Sequence, residues 1–341
     1  MTVHEPPDLS REQASPKRVR AARRRAQPGR LRTAGSFRQP LGSRIEPGGV
    51  HGYYIDLTAK AETPRWPPEW WLRHAEQQYI AVSQWGLACH ERFLAEQDEA
   101  WLAAARATGD YLVEQQQVGG RQDGGWVHLW PYPHTYPRRP PWLSAMAQGE
   151  GASLLVRLWR HTGDERFAAA ALRALRPLEV ATAAGGVRAE LGGEPFPEEI
   201  PTQPPSHILN GAIFALWGSY DVGVALGDER AAAGFGQGVE TLAGNLDRWD
   251  AGFWSRYDLY PHRVVNLANP FYHRLHIDQL RALQLLAPRP RFAATIARFE
   301  AYERSKRNWA RAYAGKLAFR LTSPRSRCLA ALFADMPFSE F

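Results

Sequence analysis

Cysteine is nearly absent: Cys89 and Cys328 are the two in 341 residues. They supply neither a disulfide framework nor the paired spacing of a structural metal site. Long apolar runs are missing too. The best, Gly211–Leu226, is interrupted by Asp221, which argues against a transmembrane helix. The first residues, MTVHEPPDLSREQ, hold no apolar core of a secretory signal, so a cytoplasmic protein is expected. No GxSxG elbow, no P-loop and no GxGxxG after a strand occurs, which removes the familiar hydrolase, kinase and dinucleotide signals.

Charge is present but lopsided. The formal net charge is +7, yet residues 1–45 carry eleven Lys or Arg against three Asp or Glu, leaving the remainder near −1. A basic, apolar-poor segment cannot offset its ordering entropy by burial, so 1–45 reads as a disordered tail. Because the charge is confined there, no specific nucleic-acid partner is implied. Residues 46–67 read as a short β-like lead-in, VHGYYIDLTAK alternating as a strand does. From residue 68 to about 320 a unit recurs: apolar helix, acidic turn, second helix, glycine-marked loop. Its turns fall near Asp98, Asp164, Asp228 and Pro290, 66, 64 and 62 residues apart. One helix pair cannot bury its own apolar stripe, so copies must pack on each other. The fold expected is mainly α, an incomplete α/α toroid of helical hairpins, followed by a C-terminal tail at 321–341.

Three loops hold the candidate chemistry. GGWVHLWPYPHTYPRRPPW offers Trp126, Tyr132, Tyr136, Arg138 and Arg139. Aromatic faces stack on sugar rings, and guanidinium pairs bidentately with carboxylate. A second loop supplies Glu198, Glu199, His207 and Asn210. The third, FWSRYDLYPHRVVNLANPFYHRLHIDQL, sets Tyr257 and Tyr272 beside Arg256, His273, Arg274 and His276. Asn269-Pro270 marks a helix start there, and helix N-termini favour anions. His273-x-x-His276-x-Asp278 lacks the HExxH pattern and a cysteine pair, so no metal is assigned.

These segments resemble a known family. Ser144-Ala145-Met146-Ala147-Gln148-Gly149, Glu199-x-Pro201-Thr202, Ile208-Leu209-Asn210-Gly211, Gly218-x-Tyr220-Asp221, Tyr257-Asp258-Leu259 and Tyr272-His273-x-x-His276-Ile277-x-Gln279-Leu280 follow the order and spacing of the C-terminal domain of D-glucuronyl C5-epimerases. The resemblance covers roughly residues 50–305. It implies a helical α/α barrel acting on an anionic, uronate-containing polysaccharide, with a homodimer as an open option. It assigns acid/base roles to Glu199, Tyr257 and Tyr272. Ile200 stands where the family has a tyrosine, and Tyr260 where it tends to have arginine. Inverting C5 by proton removal and return needs no redox cofactor, and none is expected. A uronate lyase or hydrolase on the same fold, and an inactive polysaccharide-binding protein, are the alternatives.

Overall fold

Aspartate caps set the frame of the fold. The computed structural model describes residues 38–68, 78–129, 135–136 and 138–323. Asp98 accepts a hydrogen bond from Ala100 N and opens α2 (Glu99–Gln115) after α1 (Tyr79–Glu96). Asp164 does the same with Arg166 N between α3 (Ala145–Thr162) and α4 (Glu165–Ala174). After the short helix α5 (Arg176–Glu179), Asp228 caps Ala231 N where α6 (Leu209–Leu226) gives way to α7 (Glu229–Asn245). An aspartate in this position satisfies a helical N–H that otherwise has no partner, worth ~1 kcal/mol. At the fourth turn Pro290 opens α9 (Pro290–Arg304) after α8 (Pro270–Leu286), its missing N–H costing nothing at that position. All four turns thus fall where the repeat places them. A last helix, α10 (Lys306–Thr322), packs on α9.

The first helices of the hairpins touch one another in chain order, α1 to α3, α3 to α6 and α6 to α8. What the structure shows of the expected toroid is this row of hairpins. Its interior is dense with large side chains: Trp85 on α1, Leu154, Leu155 and Leu158 on α3, and Phe214 and Trp217 on α6 are all essentially inaccessible. Each such burial contributes about 1.5–3 kcal/mol. The closest approach is between α3 and α6. A Cβ added at Gly218 would lie 2.5 Å from Gly149 Cα, so only glycine allows the two backbones to meet there.

The lead-in differs from its expected form. It makes an isolated bridge, Leu41 to Ile55, and a 3₁₀ turn at Thr58–Lys60, rather than a strand. The antiparallel pair in the described residues is β1 (Arg188–Leu191) with β2 (Glu194–Pro197), between the second and third hairpins. Packing begins earlier than residue 46: Gly42 N donates to Tyr54 O at 2.9 Å and Asp56 N to Pro40 O at 2.8 Å. Residues 38–45 therefore belong to the packed unit and not to the tail expected over 1–45. Its residues 1–37 lie outside the described residues, as do 324–341.

A buried ion pair fastens the lead-in. Arg157 on α3 donates to Asp221 on α6 at 2.6 Å and to Gly52 O at 2.9 Å, with both charged side chains essentially inaccessible. Tyr54 OH donates to the other Asp221 oxygen, and the rings of Tyr53 and Tyr54 flank the guanidinium at 5.2 and 5.5 Å. The sequence VHGYYID is held between α3 and α6 by these contacts.

Candidate functional site

Tyr257 and Tyr272, fifteen residues apart in sequence, meet in space with ring centroids 4.8 Å apart in an edge-to-face arrangement. Two local features bring them together. Asn269 accepts from Tyr272 N at 2.9 Å and Pro270 occupies the first helical position, so Tyr272 stands in the first turn of α8. Tyr257 is pinned by backbone bonds, Tyr257 N to Asn266 O at 2.8 Å and Leu209 N to Tyr257 O at 3.3 Å. Tyr136 and Ile200 join the same apolar cluster, with Trp142, Ile208 and Ala268. Tyr136 OH donates to Asp258, which also accepts from Asn266 Nδ2 and, at 3.2 Å, from Tyr260 N. Burial, with Asp258 beside it, holds the Tyr136 hydroxyl well above the usual tyrosine range.

Glu199 leaves β2 two residues after Pro197 and turns under the start of α6. Asn210 Nδ2 donates to Glu199 Oε2 at 3.4 Å, and Gln279 Nε2 from α8 holds Asn210 O at 3.0 Å. The carboxyl fits because residue 211 is glycine: a Cβ there would lie 2.7 Å from Glu199 Cγ and nearer still to its Oε2. Burial, then the neighbouring Glu198, push the Glu199 carboxyl up to about 8. Glu198 is raised to about 7 by its own burial, even though it accepts from Ser206 N, Ser206 Oγ and His207 N. Low-dielectric surroundings penalise the charged form, and a second carboxylate adds to the penalty. Ile200, the residue after Glu199, packs in the tyrosine cluster, so the carboxyl lies at its edge.

Other sequence candidates go elsewhere. Trp126 is a core residue: it is inaccessible, lies against Gly151, and donates its indole N–H to Leu112 O at 2.8 Å. The residues after Tyr272 point away from it because successive helical positions turn by about 100°. His273 stacks on Trp254 at 3.8 Å, bonds Ser255 Oγ at 2.8 Å and reaches Phe299 O at 3.1 Å. His276 shares Ser255 Oγ at 3.1 Å. Burial lowers His273 to about 4 and His276 to about 3, so both are neutral near pH 7. Arg274 pairs with Glu303 and covers the Trp309 ring. Arg138 and Arg256 are half-buried, and the Nε of each has no hydrogen-bond partner among the described residues. Arg139 is exposed, and Tyr132 lies outside the described residues. Among the described residues no three His, Cys, Asp or Glu side chains gather as a metal would require. No described helix is long and apolar enough to cross a membrane.

The structure also adds residues that carried no role in the sequence reading. Glu198 stood beside Glu199 without one, and Asp258 sat unremarked inside Tyr-Asp-Leu. Lys316 comes from α10, donating to Asn266 Oδ1 at 2.6 Å and Leu267 O at 2.8 Å, with its ammonium 5.7 Å from the Tyr257 ring centroid. Nothing local to Lys316 signals that placement, because it depends on how the last helix returns.

Helical hairpins thus present a buried glutamate pair, and Ile200, next in the chain, packs with Tyr136, Tyr257 and Tyr272. The model of the D-glucuronyl C5-epimerase C-terminus matches residues 118–301, and the chain belongs to that family. It is 32% identical over 222 residues to a D-glucuronyl C5-epimerase of Caenorhabditis elegans, covering 59% of this chain and 35% of that protein. It is 30% identical over 160 residues to an uncharacterized protein of Methanocaldococcus jannaschii, covering 45% of this chain and 50% of the other. The chain thus spans between a third and a half of the length of these curated relatives.

Proposed function

We propose that this chain is an isomerase that inverts C5 of uronate residues in an anionic polysaccharide or its precursor, without a redox cofactor. The observation that carries the reading is Glu199, a buried carboxyl raised to about 8 beside the Tyr136–Tyr257–Tyr272 cluster in a member of this family. C5 of a uronate bears a proton α to a carboxylate. Glu199 as the base removes it from one face; the C–H electron pair moves into the carboxylate as an enediolate. Tyr272 returns a proton to C5 from the opposite face, with Tyr257 supporting. A raised carboxyl is a stronger base than an ordinary one, matching the demand of a weak carbon acid. The developing charge needs neutralisation, for which Arg138, Arg256 and Lys316 are the cations at hand.

Incubation with heparosan-like and other uronate polymers in deuterated water, followed by NMR at C5, tests the reading. Deuterium entering C5 with inversion is expected. An unsaturated, ultraviolet-absorbing product instead would make the chain a lyase. One observation favours a second reading: Ile200, fully buried in the tyrosine cluster, brings no proton to the position the family resemblance gives to tyrosine. Saturable binding of these polymers with no exchange at C5 would establish a polysaccharide-binding protein.

A further inference from the structure

A cavity of about 360 Å³ lies away from the tyrosine cluster, between α4, β2, α6 and α7. Its floor is apolar, formed by Leu175, Phe196, Ala215 and Leu216. On α7 the lining positions are 230, 231, 234, 237 and 238, the spacing of a single helix face. That face carries two glycines, and a Cβ added at Gly234 would meet nothing within 4 Å. The open part of the hollow lies at Gly234, whereas α7 closes on Leu216 at Gly238, where an added Cβ would lie 2.2 Å from Leu216 Cδ2. A volume of this size falls in the range of small-molecule sites.

The rim carries a small cationic excess, three arginines against two carboxylates. Arg176, Arg188 and Arg230 border the cavity, together with the carboxylates of Glu179 and Asp228. Arg176 is engaged by Asp123, and Asp228 is engaged in capping α7. Arg188 and Arg230 make no side-chain hydrogen bond or ion pair among the described residues. Two such guanidiniums above an apolar floor match a ligand with an apolar body and one anionic head. Sugar stacking is not what this surface offers, since its one aromatic, Phe196, is itself buried.

We infer that this cavity is a second ligand site, distinct from the epimerase site, which takes a small amphipathic anion such as a medium-chain carboxylate. The apolar body rests on Leu175, Phe196 and Leu216, and the head is held by Arg188 and Arg230. The walls are shared with the site already described: β2 runs directly into Glu198 and Glu199, and α6 begins with Asn210 beside Glu199. Any occupant therefore touches the two elements that carry the Glu199 carboxyl. The inference itself does not depend on the uronate reading, because binding is measured without turnover.

The test is calorimetric titration of the full chain with octanoate, and with octan-1-ol as the uncharged partner. Octanoate is expected to bind saturably at one site. Octan-1-ol is expected to bind at least tenfold more weakly. Gly234→Leu, which puts a side chain into open space, should abolish binding while leaving the melting temperature at or above that of the wild type. Arg188→Glu with Arg230→Glu, both at exposed positions, should weaken octanoate at least tenfold and leave octan-1-ol unchanged. Absence of saturable octanoate binding would overturn the inference. So would binding that survives Gly234→Leu, or equal affinity for octanoate and octan-1-ol.

Discussion

Replacing Gly211 by alanine adds one methyl group against the carboxyl on which the proposed chemistry depends. The new Cβ would lie 2.7 Å from Glu199 Cγ, and closer to its Cβ and Oε2. Non-bonded carbons settle at roughly 3.5–4.0 Å, so the glutamate must shift by about 1 Å. Overpacking of this kind costs about 1–3 kcal/mol, and the gain from removing a helical glycine offsets up to ~1 kcal/mol of it. A net destabilisation of about 0–2 kcal/mol is expected, small enough to leave a folded protein. The catalytic effect is larger: a misplacement near 1 Å costs on the order of 10²-fold in rate. Deuterium incorporation at C5, read by NMR alongside urea denaturation, separates the two effects. Gly236→Ala, on α7 with nothing within 4 Å of its added Cβ, is the control and should match the wild type in exchange. A folded Gly211→Ala protein exchanging at the wild-type rate would refute the placement of Glu199 as the base.

Glu199 also sets a pH dependence. Its folded value of about 8 lies above the ~4.3 of an unfolded glutamate, so the fold favours the protonated form. The resulting stability is complete below about pH 4 and is lost as pH rises through about 8. Glu199→Gln, which does not titrate, should therefore gain on the order of 5 kcal/mol relative to wild type between pH 4 and 9 in urea unfolding. Wild-type kcat/KM should rise with pH and level off above about 8, and a flat profile would count against Glu199 as base. Tyr272→Phe keeps the ring against Tyr257 and removes the hydroxyl. C5 exchange should fall by about two orders of magnitude, with stability changed by about 1 kcal/mol. Asp221→Asn leaves Arg157 buried without its countercharge and should cost about 3–5 kcal/mol, seen as a lower urea midpoint.

The hairpins were legible because their punctuation is chemical and local. Asp98, Asp164 and Asp228 cap the helices they precede, and Pro290 opens the fourth second helix. Asn269-Pro270 likewise marked the turn that presents Tyr272. Within the site, spacing alone could join Tyr257 to Tyr272 but could not say which flanking cations go with them. His273 and Arg274 are adjacent in sequence to Tyr272, yet helical rotation sends one to Trp254 and the other to Glu303. Trp126 looked like a sugar platform because its loop is aromatic and basic. Its burial depends on Gly151, on a helix that sequence does not visibly bring near. Lys316 was hidden for the opposite reason, since only the return of α10 places it over Tyr257.

The glycine contact between α3 and α6 bears on how such a protein can change in evolution. Gly149 and Gly218 meet backbone to backbone, and a methyl at either position would have to enter the other helix. Gly149 stands in the same first turns of α3 that Ser144 caps, and α6 carries Asn210 at its start. The two central helices thus behave as a riveted joint whose spacing is not adjustable by small steps. Change is then channelled into the loops ahead of α3, α6 and α8, where Arg138, Arg139, Ile200 and Tyr260 reside. A substitution library should show that division directly, with the rivet intolerant of every other residue and the loop positions permissive.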